Sequence, residues 1–495
     1  MSLHCVKNCA MSQKELKEAF VSNLNGTSLQ EVVIGSFLTP LCLLNRALVL
    51  ILYHQAKGNL PLPFPRISHL FLDFIMMALP LVLSCTVLSN HLLQVVLSFA
   101  FVLLCVLFHI YYSNHQSSLS TFLNSTVHFK QVPFVTFFRV MLNVQTAISI
   151  LAVDFEVFPR RYAKTESFGT GVMDFCAGGF IIGNALVCPE ARGKNVYRSK
   201  MKHVGKQLLS VWPLVVLGAA RLVFVKMSNY QEHVTEYGVH WNFFFTLALV
   251  RVLTSMVLVV VPAKHSWILA LVISCVYQFA LDTTGLKAFI MHNDDREKDF
   301  LHANKEGIFS LAGYVAIYMA GVQVGCYVMQ PRSHVRDWLK AVFNLFMGTL
   351  AVFAALITCQ IFVEPMSRRL ANLPFCLWTV AQSLLFVSCF GLVELIILCF
   401  KITSCCHFVP SSWDSYSGSH KKKDDLEGFC LVNAINRNQL LYFLLSNILT
   451  GLTNTLINTL NCSDVFSFCV LLSYMFTNFT VIYVLHLCKI TVKFW

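Results

Sequence analysis

Apolar stretches of about 20 residues recur from end to end of this 495-residue chain, each long enough to cross a hydrocarbon core of about 30 Å. Backbone polar groups inside hydrocarbon find no water and must be satisfied within the segment, which selects helices. The pattern predicts an all-α, polytopic membrane protein folded as one bundle. Composition agrees, with 56% hydrophobic and 13% charged residues, where soluble domains average about 45–50% and about 25%. About thirteen spans are expected, over 32–53, 68–89, 91–113, 134–153, 168–188, 208–225, 240–262, 266–282, 308–329, 340–362, 374–400, 438–460 and 465–487. Residues 1–31 then form an N-terminal segment, 32–487 a transmembrane domain and 488–495 a tail. Residues 1–30 are polar, carry Lys7, Lys14 and Lys17, and lack the apolar core of a cleavable leader, so the first span is expected to serve as the insertion signal.

An odd span count puts the two ends on opposite sides. Basic loops stay cytosolic, and the loop at 189–207 carries Arg192, Lys194, Arg198, Lys200, Lys202 and Lys206, while that at 401–437 carries Lys401, Lys421, Lys422, Lys423 and Arg437. Both fall on one side of the count, which places the amino terminus and residues 154–167 on the lumenal or external side. The stretch 411–427, with serines, Gly418 and three consecutive lysines, reads as a flexible solvated loop. The 19 cysteines mostly lie singly in apolar runs, where a thiol behaves as a small hydrophobe, and they give no disulfide framework. Cys405-Cys406-His407 has the composition of a metal or palmitoylation site, but a juxtamembrane thiol pair needs neither, and no metal is expected. No internal repeat is visible.

The non-cytosolic loops are short and mix both charge signs with His, Asn and aromatics. They include Glu236 with His240, Trp241 and Asn242, the stretch from Asp294 through Asn304 and Lys305 to Gly307, and Arg368-Arg369. Such loops can converge over a bundle as one polar mouth above a lipid-accessible cavity; equally, each can be an interfacial anchor. The densest charge lies at 154–166, where Asp154, Glu156, Arg160, Arg161, Lys164 and Glu166 crowd between two apolar runs. Ionisable groups at such a boundary are costly without a use. Asp154 follows an apolar helix directly, so partial desolvation would make it a better base. Pro159 disfavours helix at Phe158 and forces a turn. That turn can bring Lys164 back toward Asp154, which a continuous helix would hold about 15 Å away. A base, a fixed positive charge, and guanidiniums of Arg160 and Arg161 suited to phosphate would fit acyl transfer from a thioester to an alcohol on a phosphorylated lipid. A charged turn that neutralises itself would contain the same residues.

The run Ala152-Val153-Asp154-Phe155-Glu156-Val157-Phe158-Pro159-Arg160-Arg161-Tyr162-Ala163-Lys164-Thr165-Glu166, continuing through Phe168-Gly169-Thr170-Gly171 to Met173-Asp174, closely resembles the signature of the inositol acyltransferases of glycosylphosphatidylinositol (GPI) anchor synthesis, the class W family of that pathway. The resemblance continues in Glu236-Tyr237-Gly238-Val239-His240-Trp241-Asn242-Phe243, in Ala303-Asn304-Lys305-Glu306-Gly307-Ile308, in Ser367-Arg368-Arg369 and in Asn436-Arg437-Asn438-Gln439-Leu440 through Thr450-Gly451. It covers nearly the whole chain from Met11; residues 1–10 resemble nothing in the family. It implies a thirteen-helix enzyme of the endoplasmic-reticulum membrane that moves a fatty acyl group, usually palmitoyl, from acyl-CoA to the inositol ring of glucosaminyl-phosphatidylinositol, with acyl-CoA a co-substrate and no cofactor. The family's catalytic aspartate and lysine fall on Asp154 and Lys164. Candidate substrate-binding residues are Arg160, Arg161, His240, Trp241, Asn242, Asn304, Lys305, Arg368 and Arg369, with His240 and Asp174 as alternative proton acceptors. Acyl-CoA is made on the cytosolic side, so a cavity along helices four to eight is expected to bring its chain to a lumenal loop. A transporter or flippase would also have polar mouths and the intramembrane charges Arg46, Asp73, Arg139, Arg221, Arg251 and Glu394, and a non-catalytic scaffold would have many spans. The scaffold would not need Asp154 and Lys164 intact.

Overall fold

The computed structural model of the protein describes residues 13–22, 24–57, 62–113, 122–128, 132–193, 200–227, 234–292, 296–403, 414–415 and 430–492. Residues 1–10, Lys194 and Arg198, Gln231 to His233, Asp294, Cys405-Cys406-His407 and most of 411–427 lie outside these. Apart from a two-residue antiparallel pairing of Val127–His128 with Asp414–Ser415, and two isolated bridges, the described residues are helices and their connections.

Eleven helices among the described residues are long and apolar enough to cross a membrane: Leu29–Lys57, Pro65–Cys85, Ser89–Tyr112, Phe134–Ala152, Gly205–Met227, Phe243–Val260, Ala263–Thr283, Lys305–Val328, Val335–Phe362, Leu373–Phe400 and Asp464–Leu487. The expected count of thirteen is therefore not reached on length and composition. The two remaining expected spans are the 12-residue helix Asp174–Ala185 and the helix Gln439–Leu456, which carries Asn447, Thr450, Thr453 and Asn454. Asp174–Ala185 is short because it is wrapped by protein rather than lipid: Asp174, Phe175, Gly178, Gly179, Ile181, Ile182, Gly183 and Ala185 are all buried. A helix that faces protein need not match the bilayer thickness. Leu373–Phe400 is likewise largely enclosed, and Arg46 and Asp73 are paired with each other across two helices inside the bundle.

The connections sort to two ends. At one end the N-terminal segment joins the 154–173 loop, through Glu166 N–H donating to the Leu24 carbonyl at 3.0 Å and Thr27 N–H to the Thr170 carbonyl at 2.6 Å. The loop at 363–372 docks on the same loop through Gly169 N–H and the Met366 carbonyl at 2.9 Å, and Val239 N–H reaches the Ala303 carbonyl at 2.9 Å. At the other end Thr126 bridges His334, beside the Val127–His128 pairing with Asp414–Ser415. The four polar loops expected to form a mouth do meet.

One close approach fixes the loop at 363–372. Ala371 adopts a left-handed backbone, φ 48°, and a Cβ on Gly313 would stand 2.1 Å from the Ala371 carbonyl oxygen. Only glycine lets that carbonyl rest on the helix Leu311–Val328. Gly313→Ala is expected to lower stability by about 1–3 kcal/mol through overpacking, read as a lower melting temperature of the purified protein. A cysteine at exposed Glu297 should react with an impermeant thiol reagent only after sealed microsomes are opened, and one at exposed Ser333 should react without opening; labelling on one and the same side would refute the two-ended arrangement.

Candidate functional site

The helix Pro133–Ala152 stops just before the charged run. Asp154 N–H then bonds the Leu151 carbonyl at 3.1 Å and Phe155 N–H the Ala152 carbonyl at 3.0 Å, so the chain closes into tight turns. Pro159 starts the single turn Arg160–Tyr162, as its effect on Phe158 predicts. Asp154 is buried, 3% exposed, and its Oδ2 accepts from Asn454 Nδ2 at 2.6 Å. Asn454 Oδ1 in turn accepts from Lys17 Nζ at 3.1 Å.

Arg160 and Arg161, expected as phosphate donors, direct their bonds at the protein. Arg160 Nη1 donates to the Val153 carbonyl at 2.8 Å and Nη2 to the carbonyls of Phe155 and Phe158 at 3.0 and 2.9 Å. Its guanidinium carbon lies 4.0 Å from the centroid of the Phe20 ring. Burial pushes Arg160 down to about 10, against the attraction of Asp154 and Glu156, so it stays charged at neutral pH. Arg161 bonds Glu31 Oε1 at 3.1 Å and Asn90 Oδ1 at 3.0 Å, and Tyr162 donates to the same Glu31 oxygen at 2.6 Å. These arginines staple the turn.

Lys164 enters a relay of alternating charges. Its Nζ lies 2.6 Å from Glu236 Oε1 with 40% of the side chain exposed, so the ammonium remains able to meet a bound molecule. The same Glu236 oxygen lies 3.8 Å from Arg368 Nη1, and Arg368 Nε lies 2.8 Å from Asp174 Oδ1. Asp174 also accepts from Thr165 N–H at 3.2 Å, Thr165 Oγ1 at 2.9 Å and Gly171 N–H at 2.8 Å. Burial alone would push Arg368 down; Glu236 and Asp174 outweigh it and hold the guanidinium above its ordinary value. Asp174, offered by the sequence as an alternative proton acceptor, is a buried clamp on the loop.

The rest of the mouth is a second polar cluster. Asn304, fully buried, accepts His240 N–H at 2.7 Å and donates to the Phe300 carbonyl at 2.9 Å. Lys305 is buried, with its ammonium on the His292 carbonyl and 5.1 Å from the Phe289 centroid. Arg369 donates to Glu306 Oε1 at 2.8 Å and to the Ile290 carbonyl at 3.0 Å, and Arg296 joins the same Glu306 oxygen at 2.5 Å. Trp241 Nε1 donates to Thr246 Oγ1 at 2.9 Å. Asn242 caps the helix Phe243–Val260, accepting from Phe244 N–H at 3.0 Å, and donates to the Gly218 carbonyl at 2.9 Å. The His240 side chain is exposed. Lys164 and Arg368 thus share Glu236, His240 and Asn304 share a bond, and Asp154 is bonded to Asn454. Sequence reasoning does not single out Lys17, Glu236's bridging role or Asn454; the run through Thr450-Gly451 that carries the resemblance stops just short of Asn454.

Long apolar helices closed at one end by interlocked polar loops, with a buried carboxylate and a half-exposed lysine at the boundary, define a polytopic all-α membrane protein with a candidate site at one face. The GWT1 family model matches residues 13–485. The glucosaminyl-phosphatidylinositol-acyltransferase PIGW of Bos taurus is 44% identical over 98% of this chain and 100% of its own length. That of Homo sapiens is 41% identical over the same shares. GPI-anchored wall transfer protein 1 of Candida albicans is 30% identical over 94% of this chain and 96% of its own. The chain belongs to the GWT1 family.

Removing one partner of a buried ion pair strands the other, so Asp174→Ala should destabilise by about 3–5 kcal/mol, measured as lost thermal stability and lower abundance. Asn242→Ala should remove about 0.5–2 kcal/mol of capping, while His240→Ala leaves the melting temperature unchanged.

Proposed function

We propose that this protein transfers a fatty acyl group, usually palmitoyl, from acyl-CoA to the inositol ring of glucosaminyl-phosphatidylinositol in GPI-anchor biosynthesis. It is an O-acyltransferase, and the observation that carries this is the end-to-end match to relatives named for glucosaminyl-phosphatidylinositol acyl transfer. The geometry supports a role for the 154–166 turn, which puts a buried carboxylate and a half-exposed ammonium at the membrane boundary. We assign Asp154 as the base that takes the proton of an inositol hydroxyl. The alkoxide oxygen bonds to the thioester carbonyl carbon, and Lys164 steadies the negative charge that develops on the carbonyl oxygen. The carbon–sulfur bond then breaks, and CoA leaves as a thiolate that recovers the proton from Asp154. The products are the inositol ester and CoA.

The exposed His240 and the half-exposed Lys164 are the residues of the mouth best placed to meet the lipid head group, whereas Asn242, Asn304, Lys305, Arg368 and Arg369 shape its walls. We place the mouth on the lumenal side of the endoplasmic reticulum, where the loop charges orient it, with the acyl chain lying within the bilayer region.

Purified protein given labelled palmitoyl-CoA and glucosaminyl-phosphatidylinositol should form the acylated lipid unaided; no product would defeat the reading. Asp154→Asn and Lys164→Ala should each lose at least about a hundredfold in acyl transfer at normal protein levels. Glu156→Gln should be mild, since Glu156 is exposed on the turn. Near-normal turnover by Asp154→Asn would remove it as the base.

A further inference from the structure

The N-terminal helix Gln13–Phe20 lies on the signature turn. Lys17 and Phe20 are three residues apart and so share a face of this helix. Phe20 stacks under Arg160, and Lys17 reaches Asn454, which holds Asp154. The next residues stay on the same loop, through Leu24 with Glu166 and Thr27 with Thr170.

The contact between Lys17 and Asn454 has a chemical consequence. A carboxamide has an accepting end and a donating end. An ammonium only donates, and an ionised carboxylate only accepts. With Lys17 on one side and Asp154 on the other, one orientation of the Asn454 amide satisfies both neighbours: Oδ1 toward Lys17 and Nδ2 toward Asp154. The Asn454 amide is further fixed by Nδ2 donating to the Thr450 carbonyl one turn back at 3.2 Å. A base held this way keeps its carboxylate plane fixed, as in other sites where the base is oriented by a third group.

We infer that Asn454 is the positioning residue for Asp154, and that Lys17 sets the orientation of the Asn454 amide, so that the N-terminal helix is a working part of the site. This rests on the reading of Asp154 as the base. Among the described residues, the groups near Asp154 that carry or exchange charge include Arg160 and the exposed Glu156 from its own turn and Lys17 behind Asn454, with Glu18 next to it; from the last helix, Tyr474 meets Thr450 at 3.4 Å. On the helix Gln439–Leu456 itself, Asn454 and Thr450 do not titrate.

Misplacing a reacting group by about 1 Å can cost about a hundredfold, so Asn454→Ala should lower kcat roughly ten- to hundredfold while KM for both substrates holds. A hydrogen bond to the charged form of a carboxylate favours that form. Its loss means a higher pH is needed to ionise the base, so the acidic limb of the kcat/KM profile should move to higher pH. Lys17→Met should shift kcat and the limb in the same direction by a smaller amount, and Lys17→Arg, which keeps a donor, should restore both. Lys17 lies on a surface helix, so these two variants test the inference even where Asn454→Ala fails to accumulate. An Asn454→Ala enzyme with an unmoved limb, or a Lys17→Arg enzyme no better than Lys17→Met, overturns it. Loss of activity in Asp154→Asn together with either result would leave the acyltransferase reading standing and remove this inference alone.

Discussion

The arrangement of the site depends on one buried carboxylate. Asp174 is sealed from solvent at the start of the short helix Asp174–Ala185. An unpaired charge there would be strongly unfavourable, so it must collect donors. It takes them from Thr165 and Gly171 in the signature loop and from Arg368 in the loop at 363–372. Two segments about two hundred residues apart are thereby held on one atom group. Arg368 then faces Glu236, which holds Lys164. The position of the candidate catalytic ammonium thus follows, through three charge contacts, from the need to neutralise Asp174.

Asp154 takes a hydrogen bond from a different part of the bundle. Arg160, in the same turn, donates to three backbone carbonyls and lays its guanidinium over the Phe20 ring. Asp154 Oδ2 accepts from the neutral amide of Asn454. The two buried aspartates thus have different surroundings, Asp174 among loop donors and the Arg368 guanidinium and Asp154 beside the Asn454 amide.

The membrane boundary explains why the remaining charges are interlocked. Glu306 is shared by Arg296 and Arg369, Glu364 by Lys287 and the amides of Gln278 and Asn372, and Lys305 rests on a carbonyl and an aromatic face. Each pairing lets ionisable groups sit at the edge of hydrocarbon, where unpaired charge is costly. The half-exposed ammoniums of Lys164 and Lys287 keep access to solvent.

Apolar runs of span length, the turn forced by Pro159 and the crowding of charge at 154–166 are local properties, and the chain alone determined them. Burial against lipid imposes a length and a composition that can be read residue by residue. Gly313 and Asp174–Ala185 show where that reading stops: a helix enclosed by other helices obeys their packing rather than the bilayer, so its short length was set only in the bundle. The same holds for polar partners. Arg160 carries the residue type of a phosphate ligand and becomes a staple for three carbonyls, and Asn242 carries that of a sugar ligand and becomes a helix cap. Asn454 lies 300 residues from the carboxylate it holds and Arg368 lies 194 from Asp174. A side chain's hydrogen bonds are short-ranged and directional, so which donor meets which acceptor was decided only when tertiary packing brought those loops within about 3 Å of one another.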